Sequence, residues 1–144
     1  MSGLELNPVL EESDRTRILR AVEWVRARHL HGRNTGLEAS YTLCYFLARR
    51  LRRKYYGVCI MVGDVEGERG PTAHHWLLLP SKQLYVDPTF DEFDPARAVR
   101  IGVITDEDYK CDYRNGLDGN FDLSDPRNHP RILFAAETLE TGWR

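Results

Sequence analysis

The stretch AHHWLLLPSKQLYVDPTFDEF, residues 73–93, carries two apolar runs on either side of a turn signal. HHWLLL and QLYVD are short and β-rich, and Pro-Ser-Lys separates them, which predicts two antiparallel strands closed as a hairpin. Side chains two apart on a strand share a face, so His74 and Trp76 point one way and His75 the other. With the turn near Pro80 to Lys82, residues 74 and 87 come roughly level, where the Asp87 carboxylate can accept a hydrogen bond from the His74 ring. That is the form of a base with its orienting acid, since the carboxylate fixes the tautomer and stabilises the imidazolium. It is equally the form of an ordinary structural His–Asp pair.

Two helical patterns precede the hairpin. In SDRTRILRAVEWVRARHL, residues 13–30, Ile18, Val22, Val25 and His29 fall on one face, with Ser13 or Asp14 as N-cap and Gly32 as stop. In GLEASYTLCYFLARRLRRKYYG, residues 36–57, Leu37, Tyr41, Cys44, Leu47 or Ala48 and Leu51 recur at helical spacing. Asn34 or Thr35 can cap this second helix and Gly57 ends it, and it is expected to be buried until its basic end. VCIMVGDVEG, residues 58–67, reads as a strand and VRIGVI, residues 99–104, as another, whereas DPTFDEFDPAR, residues 87–97, is too rich in Pro and Asp for regular structure. Residues 105–130 read as one long irregular segment and RILFAAETLE, residues 131–140, as a short closing helix. The fold class expected is α+β, with N-terminal helices packed on an antiparallel sheet in one domain spanning residues 1–144.

Composition narrows the function classes. The chain is 42% hydrophobic and 29% charged with a formal net charge of -2, the profile of a soluble globular protein rather than a disordered one or a general nucleic-acid binder. No run approaches the roughly 20 apolar residues of a membrane span, and the first residues lack a signal-peptide pattern, so a cytoplasmic location is expected. Cys44, Cys59 and Cys111 are too few and too widely spaced for a disulfide framework or a zinc motif, and Cys44 and Cys59 are expected to be buried thiols. The run RRLRRKYY, residues 49–56, reads as a solvated helix end complementing the dipole rather than a phosphate-binding patch. Trp24 and Trp143 read as packing residues.

The order of these pieces resembles the transglutaminase-like branch of the papain-like cysteine hydrolases and acyltransferases. A helix start ending in Glu-Ala-Ser, a β-rich segment, His-x-Trp and then Asp-Pro-Thr after a hairpin are similar to small bacterial and phage proteins of that branch, over about residues 32–104. The resemblance implies a papain-like core and a Cys-His-Asp triad in which His74 is the general base and Asp87 the orienting acid. It implies that Trp76 forms a wall of the site, with Asn34 and Thr35 as substrate-contacting residues beside the nucleophile. The nucleophile position falls on Gly36. Glu92 stands where the pattern carries glutamine.

A glycine there keeps the backbone N–H donors of a helix start but supplies no thiolate, so the chain as written lacks chemistry that passes through a thioester. Three explanations fit: an engineered Cys-to-Gly change, a natural pseudoenzyme that binds a peptide or protein in the same cleft, or another nucleophile such as Ser40 or Thr35. The intact His74, Trp76 and Asp87 favour recent or engineered loss. The substrate class expected is a peptide or protein amide, with no cofactor, no metal and no nucleic-acid or membrane partner. A metal-dependent hydrolase using His74, His75 and a nearby carboxylate is a further alternative, opposed by the opposite faces of adjacent strand residues. DGNFDLSD, residues 118–125, lacks the glycine and glutamate of a calcium loop.

Overall fold

The computed structural model describes residues 10–29, 37–68 and 70–118. Two helices come first, α1 (Glu12–His29) and α2 (Leu37–Leu51), followed by β1 (Cys59–Gly67), β2 (Gly70–Leu79), β3 (Leu84–Asp87) and β4 (Arg100–Val103). A short helix α3 (Glu107–Asp112) leads into a last strand, β5 (Tyr113–Asp118). The strands form one sheet in the order β4-β3-β2-β1-β5, and every neighbouring pair is antiparallel. The protein is thus α+β, with its N-terminal helices against a five-stranded antiparallel sheet.

The helices cover one face of the sheet. Ile18, Val22 and Val25 of α1 are fully buried with His29 beside them, as their spacing predicts. On α2 every residue from Ser40 to Ala48 is buried, so this helix is wrapped almost all round. Together they enclose Ile60, Leu77, Leu79, Leu84 and Val86 from the sheet. Among the described residues no helix is long and apolar enough to cross a membrane.

Several local expectations need correction. Ser13 and Asp14 are not caps but lie inside α1, which starts at Glu12, and Asp14 is buried with its carboxylate accepting the Tyr55 hydroxyl at 2.6 Å. Leu37 remains 43% exposed at the start of α2. That helix stops at Leu51 rather than Gly57, because turns run from Arg52 to Gly57, where φ of +73° suits glycine. The basic run therefore leaves the helix part-way. Arg52 donates to the Val58 carbonyl at 2.8 Å, and Arg50 lies over the Trp24 ring at 3.9 Å, which leaves Trp24 40% exposed under a guanidinium rather than in the core. Cys44 is buried, Cys59 only partly so, and Cys111 is exposed, all three as free thiols. Gly32, Trp143, the calcium-like stretch beyond Asp118 and the closing helix expected at residues 131–140 lie outside the described residues.

The second face of the sheet is aromatic. Trp76, Tyr85, Phe90 and Tyr113 are buried there, with Tyr109 of α3 stacked on Tyr85 and Tyr113 at centroid distances of 4.6 and 5.2 Å. Tyr109 and Tyr113 come from the segment expected to be irregular, which instead supplies α3 and a fifth strand. The Asn115-Gly116 pair, a turn signal in sequence, is a bulge within β5. Val62 faces Leu117 and Asp64 faces Arg114, so two residues span the space opposite Gly63, and Asn115 takes the left-handed conformation at φ 55°.

The bulge makes room for the Trp76 ring. A Cβ on Gly63 would stand 2.6 Å from the Arg114 carbonyl oxygen and 2.9 Å from both the Gly116 Cα and Trp76 Cη2. Two of those three neighbours are backbone and cannot swing aside. Gly63→Ala is therefore expected to cost roughly 1–3 kcal/mol by overpacking, read as a lower urea midpoint. An unchanged midpoint would show that β5 is not held against β1 here.

Candidate active site

The hairpin register decides how His74 meets Asp87. Leu79 pairs with Leu84 and Leu77 with Val86, so the same register sets Asp87 level with Trp76 rather than with His74. The expectation that residues 74 and 87 come level is wrong by two residues. The cause is the turn: Pro80–Lys82 form a 3-10 turn that Gln83 closes with φ 55°, and the pairing begins immediately on either side of these four residues. His74 and Asp87 still share the aromatic face, as diagonal neighbours, and such a diagonal is within reach of long side chains.

The two side chains are fully buried and bonded. His74 Nε2 lies 2.9 Å from Asp87 Oδ1 and 3.0 Å from Oδ2, with both residues 0% exposed. Because a carboxylate only accepts, Nε2 carries the hydrogen. Asp87 takes two more donors: the Tyr113 hydroxyl at 2.7 Å and the Thr89 N–H at 3.1 Å. A buried carboxylate with three donors is well satisfied. Burial and the Asp87 charge in turn push the Tyr113 hydroxyl up, so it stays a donor.

The other ring nitrogen faces a second carboxylate. Glu92 Oε1 is 3.3 Å from His74 Nδ1, but off the hydrogen-bonding direction, and Nδ1 has no hydrogen-bond partner among the described residues. Phe93 packs edge-on against the ring at 4.8 Å. Burial by itself lowers the proton affinity of His74, but the charge and hydrogen bond of Asp87, joined by Glu92, outweigh it and raise the pKa to about 9. The imidazolium is therefore the resident form near neutral pH.

The segment carrying Glu92 is held from below. Arg26 of α1 grips Asp91 with both guanidinium nitrogens, at 2.7 and 3.3 Å, and donates to the Pro88 carbonyl at 2.7 Å. This fixes the loop between Asp87 and the 3-10 turn Phe90–Glu92.

α2 approaches from the other face at the neighbouring residue. β3 ends level with Trp76, and beyond it the His75 N–H donates to Ser40 Oγ at 3.2 Å. Ser40 donates its own hydrogen to the Leu37 carbonyl at 2.9 Å. His75 Nδ1 lies 3.2 Å from both Ser40 Oγ and the Leu37 oxygen, which selects its Nδ1–H tautomer. The first turn of α2 is thus bolted to β2 one residue from His74. Ser40 spends its hydrogen bonds on this joint, next to His75 rather than His74.

Comparison with models of known families, with curated proteins and with solved structures finds no match to this chain. What the cluster can do follows from its own chemistry. An imidazole with a buried carboxylate on Nε2 can hold, accept or return a proton at Nδ1. Of the residues expected at the site, His74 and Asp87 come together, and Trp76 lies on the same face, 1% exposed, with its Nε1–H donating to the Tyr109 hydroxyl at 3.1 Å. Gly36, Asn34 and Thr35 lie outside the described residues. His74 and His75 point to opposite faces, and among the described residues no group of three or more His, Cys, Asp or Glu side chains is arranged to hold a metal ion.

Thr89, Tyr113 and the contact of Glu92 with Nδ1 were not legible as parts of the site. Thr89 belongs to the Asp-Pro-Thr motif, which offered a signal. Tyr113 had none, because its strand was hidden by Asn-Gly.

Proposed function

We propose that this chain is a transglutaminase-like, papain-like cysteine hydrolase or acyltransferase scaffold whose acid–base half is assembled and whose nucleophile position, Gly36, is unarmed. The observation that supports it best is the buried bond from His74 Nε2 to Asp87, with Asp87 also held by Tyr113 and Thr89. The first turn of α2, which follows Gly36 in the chain, docks on β2 at His75, whose side chain points to the sheet face opposite the His74 ring. In an armed form a cysteine thiolate at position 36 attacks an amide carbonyl of a peptide or protein, forming the thioester as the C–N bond breaks. His74 Nδ1–H gives its proton to the leaving amine, then takes one from the water or amine that releases the acyl group, while Asp87 holds the ring. A second reading, a binding module for a peptide or protein, is favoured by the glycine itself, which supplies no thiolate.

The test is Gly36→Cys with iodoacetamide at about pH 6, using the exposed Cys111 of the same protein as reference thiol. A thiol beside a helix start and an imidazolium is partly ionised there, so labelling at position 36 is expected to exceed that of Cys111 at least about tenfold. Labelling no faster than Cys111 would remove the triad reading and leave the binding module.

A further inference from the structure

His74 lies between two acids, and only one of them belongs to the expected triad. We propose that Glu92 is a positioning residue that keeps His74 an imidazolium, its carboxylate supplying at Nδ1 the negative charge that a nucleophile thiolate would supply in the armed enzyme. The counter-ion rests on the structure alone; calling it the stand-in for a thiolate rests on the function proposed above.

Geometry carries the inference. Nδ1 is buried, lacks a hydrogen-bond partner among the described residues, and has Glu92 Oε1 3.3 Å away. With Nε2–H committed to Asp87, a neutral ring would present the Nδ1 lone pair to an anionic oxygen at that distance. Lone pair against carboxylate is repulsive, and protonation of Nδ1 turns the same contact into an ion pair. The Glu92 side chain is 18% exposed, so solvent screens it little. It is also fixed from outside, since Arg26 clamps Asp91, the residue before it.

Among the described residues the charged and titratable groups on this face include one cation, Arg100 of β4, which is buried level with Asp87 and lies over the Phe90 and Tyr113 rings at 4.9 and 5.4 Å. β3 contributes Asp87, the 3-10 turn contributes Glu92, and β5 contributes Tyr113 through Asp87. β1 places Gly63 opposite His74, which brings no charge at all. Between Asp87 and Glu92, the glutamate is the one whose loss leaves Nε2 and the hairpin contact intact. The consequence is functional: a ring held protonated on both nitrogens is a proton donor at Nδ1 and becomes a base only after that proton has been given up.

The test is a 15N NMR titration of histidine-labelled protein, comparing the chain as it stands with Glu92→Gln and Glu92→Asp. Both His74 ring nitrogens are expected to stay protonated in the unaltered chain to about pH 8, and Glu92→Gln is expected to lower the midpoint by about one unit or more, a tenfold loss of proton affinity. Glu92→Asp keeps the charge on a shorter arm and is expected to hold the midpoint above that of Glu92→Gln. A bare Nδ1 in the unaltered chain at about pH 7 would overturn the proposal, as would a midpoint in Glu92→Gln within about 0.3 units of the original. A Glu92→Asp midpoint as low as that of Glu92→Gln would overturn it too, because charge would then not be what acts. Slow labelling of the Gly36→Cys protein with the expected titration keeps the counter-ion and removes the thiolate comparison. Fast labelling with an unshifted titration keeps the triad and removes the Glu92 proposal whole.

Discussion

Asp87→Ala is expected to cost about 3–5 kcal/mol of folding stability, the scale found when one partner of a buried ion pair is removed. The carboxylate is completely enclosed, and its removal strands three donors at once: His74 Nε2–H, the Tyr113 hydroxyl and the Thr89 N–H. A domain has only about 5–15 kcal/mol in total, so the loss approaches the limit of folding. Asp87→Asn keeps an acceptor of the same shape without the charge and is expected to cost less, about 1.5–3 kcal/mol. Urea unfolding followed by tryptophan fluorescence reads both. Equal costs for the two variants would show that charge rather than shape is what the three donors need.

Stability is expected to fall between about pH 6.5 and pH 9.5, on the order of 3 kcal/mol in all. The sign follows from the direction of the shift. His74 in the folded protein holds its proton to a pKa of about 9, against 6.5 for an ordinary histidine. A group whose folded pKa is raised contributes stability in full below the unfolded value and loses it as the pH climbs through the folded one. Urea midpoints across that window measure it, and Asp87→Ala is expected to flatten the slope because the main source of the raised affinity is gone. A midpoint that holds steady or rises would mean the native ring is neutral, which the two flanking carboxylates make untenable.

How much of this was legible in the sequence depends on the kind of signal each residue carries. The α1 face of Ile18, Val22 and Val25 and the alternation of His74, His75 and Trp76 are period signals, and periods survive into the fold because burial selects them. The meeting of His74 with Asp87 was legible for the same reason, since both positions point to one face. Their register was not, because it depends on how many residues the turn consumes, and Gln83 in a left-handed conformation is invisible in composition. β5 was missed because Asn115-Gly116 has two uses, a hairpin turn or a bulge, and only the Trp76 ring and Gly63 decide between them. Pro71, which pairs with Glu66 inside the ladder, hid the first turn of β2 in the same way. Glu92 was visible as a departure from glutamine, but its contact with Nδ1 is made by the loop that Arg26 anchors from α1, 66 positions away in the chain.

The hydroxyl of Tyr113 gives the edge strand a part in the chemistry of the centre. Among the described residues β5 has β1 on one side and no strand on the other, and outermost strands fray first when a sheet breathes locally. Each such opening withdraws one of the three donors around Asp87, so the carboxylate leans harder on His74 while β5 is away. The proton affinity of the histidine is therefore an average over open and closed edges, and whatever seals β5 retunes the site without touching it.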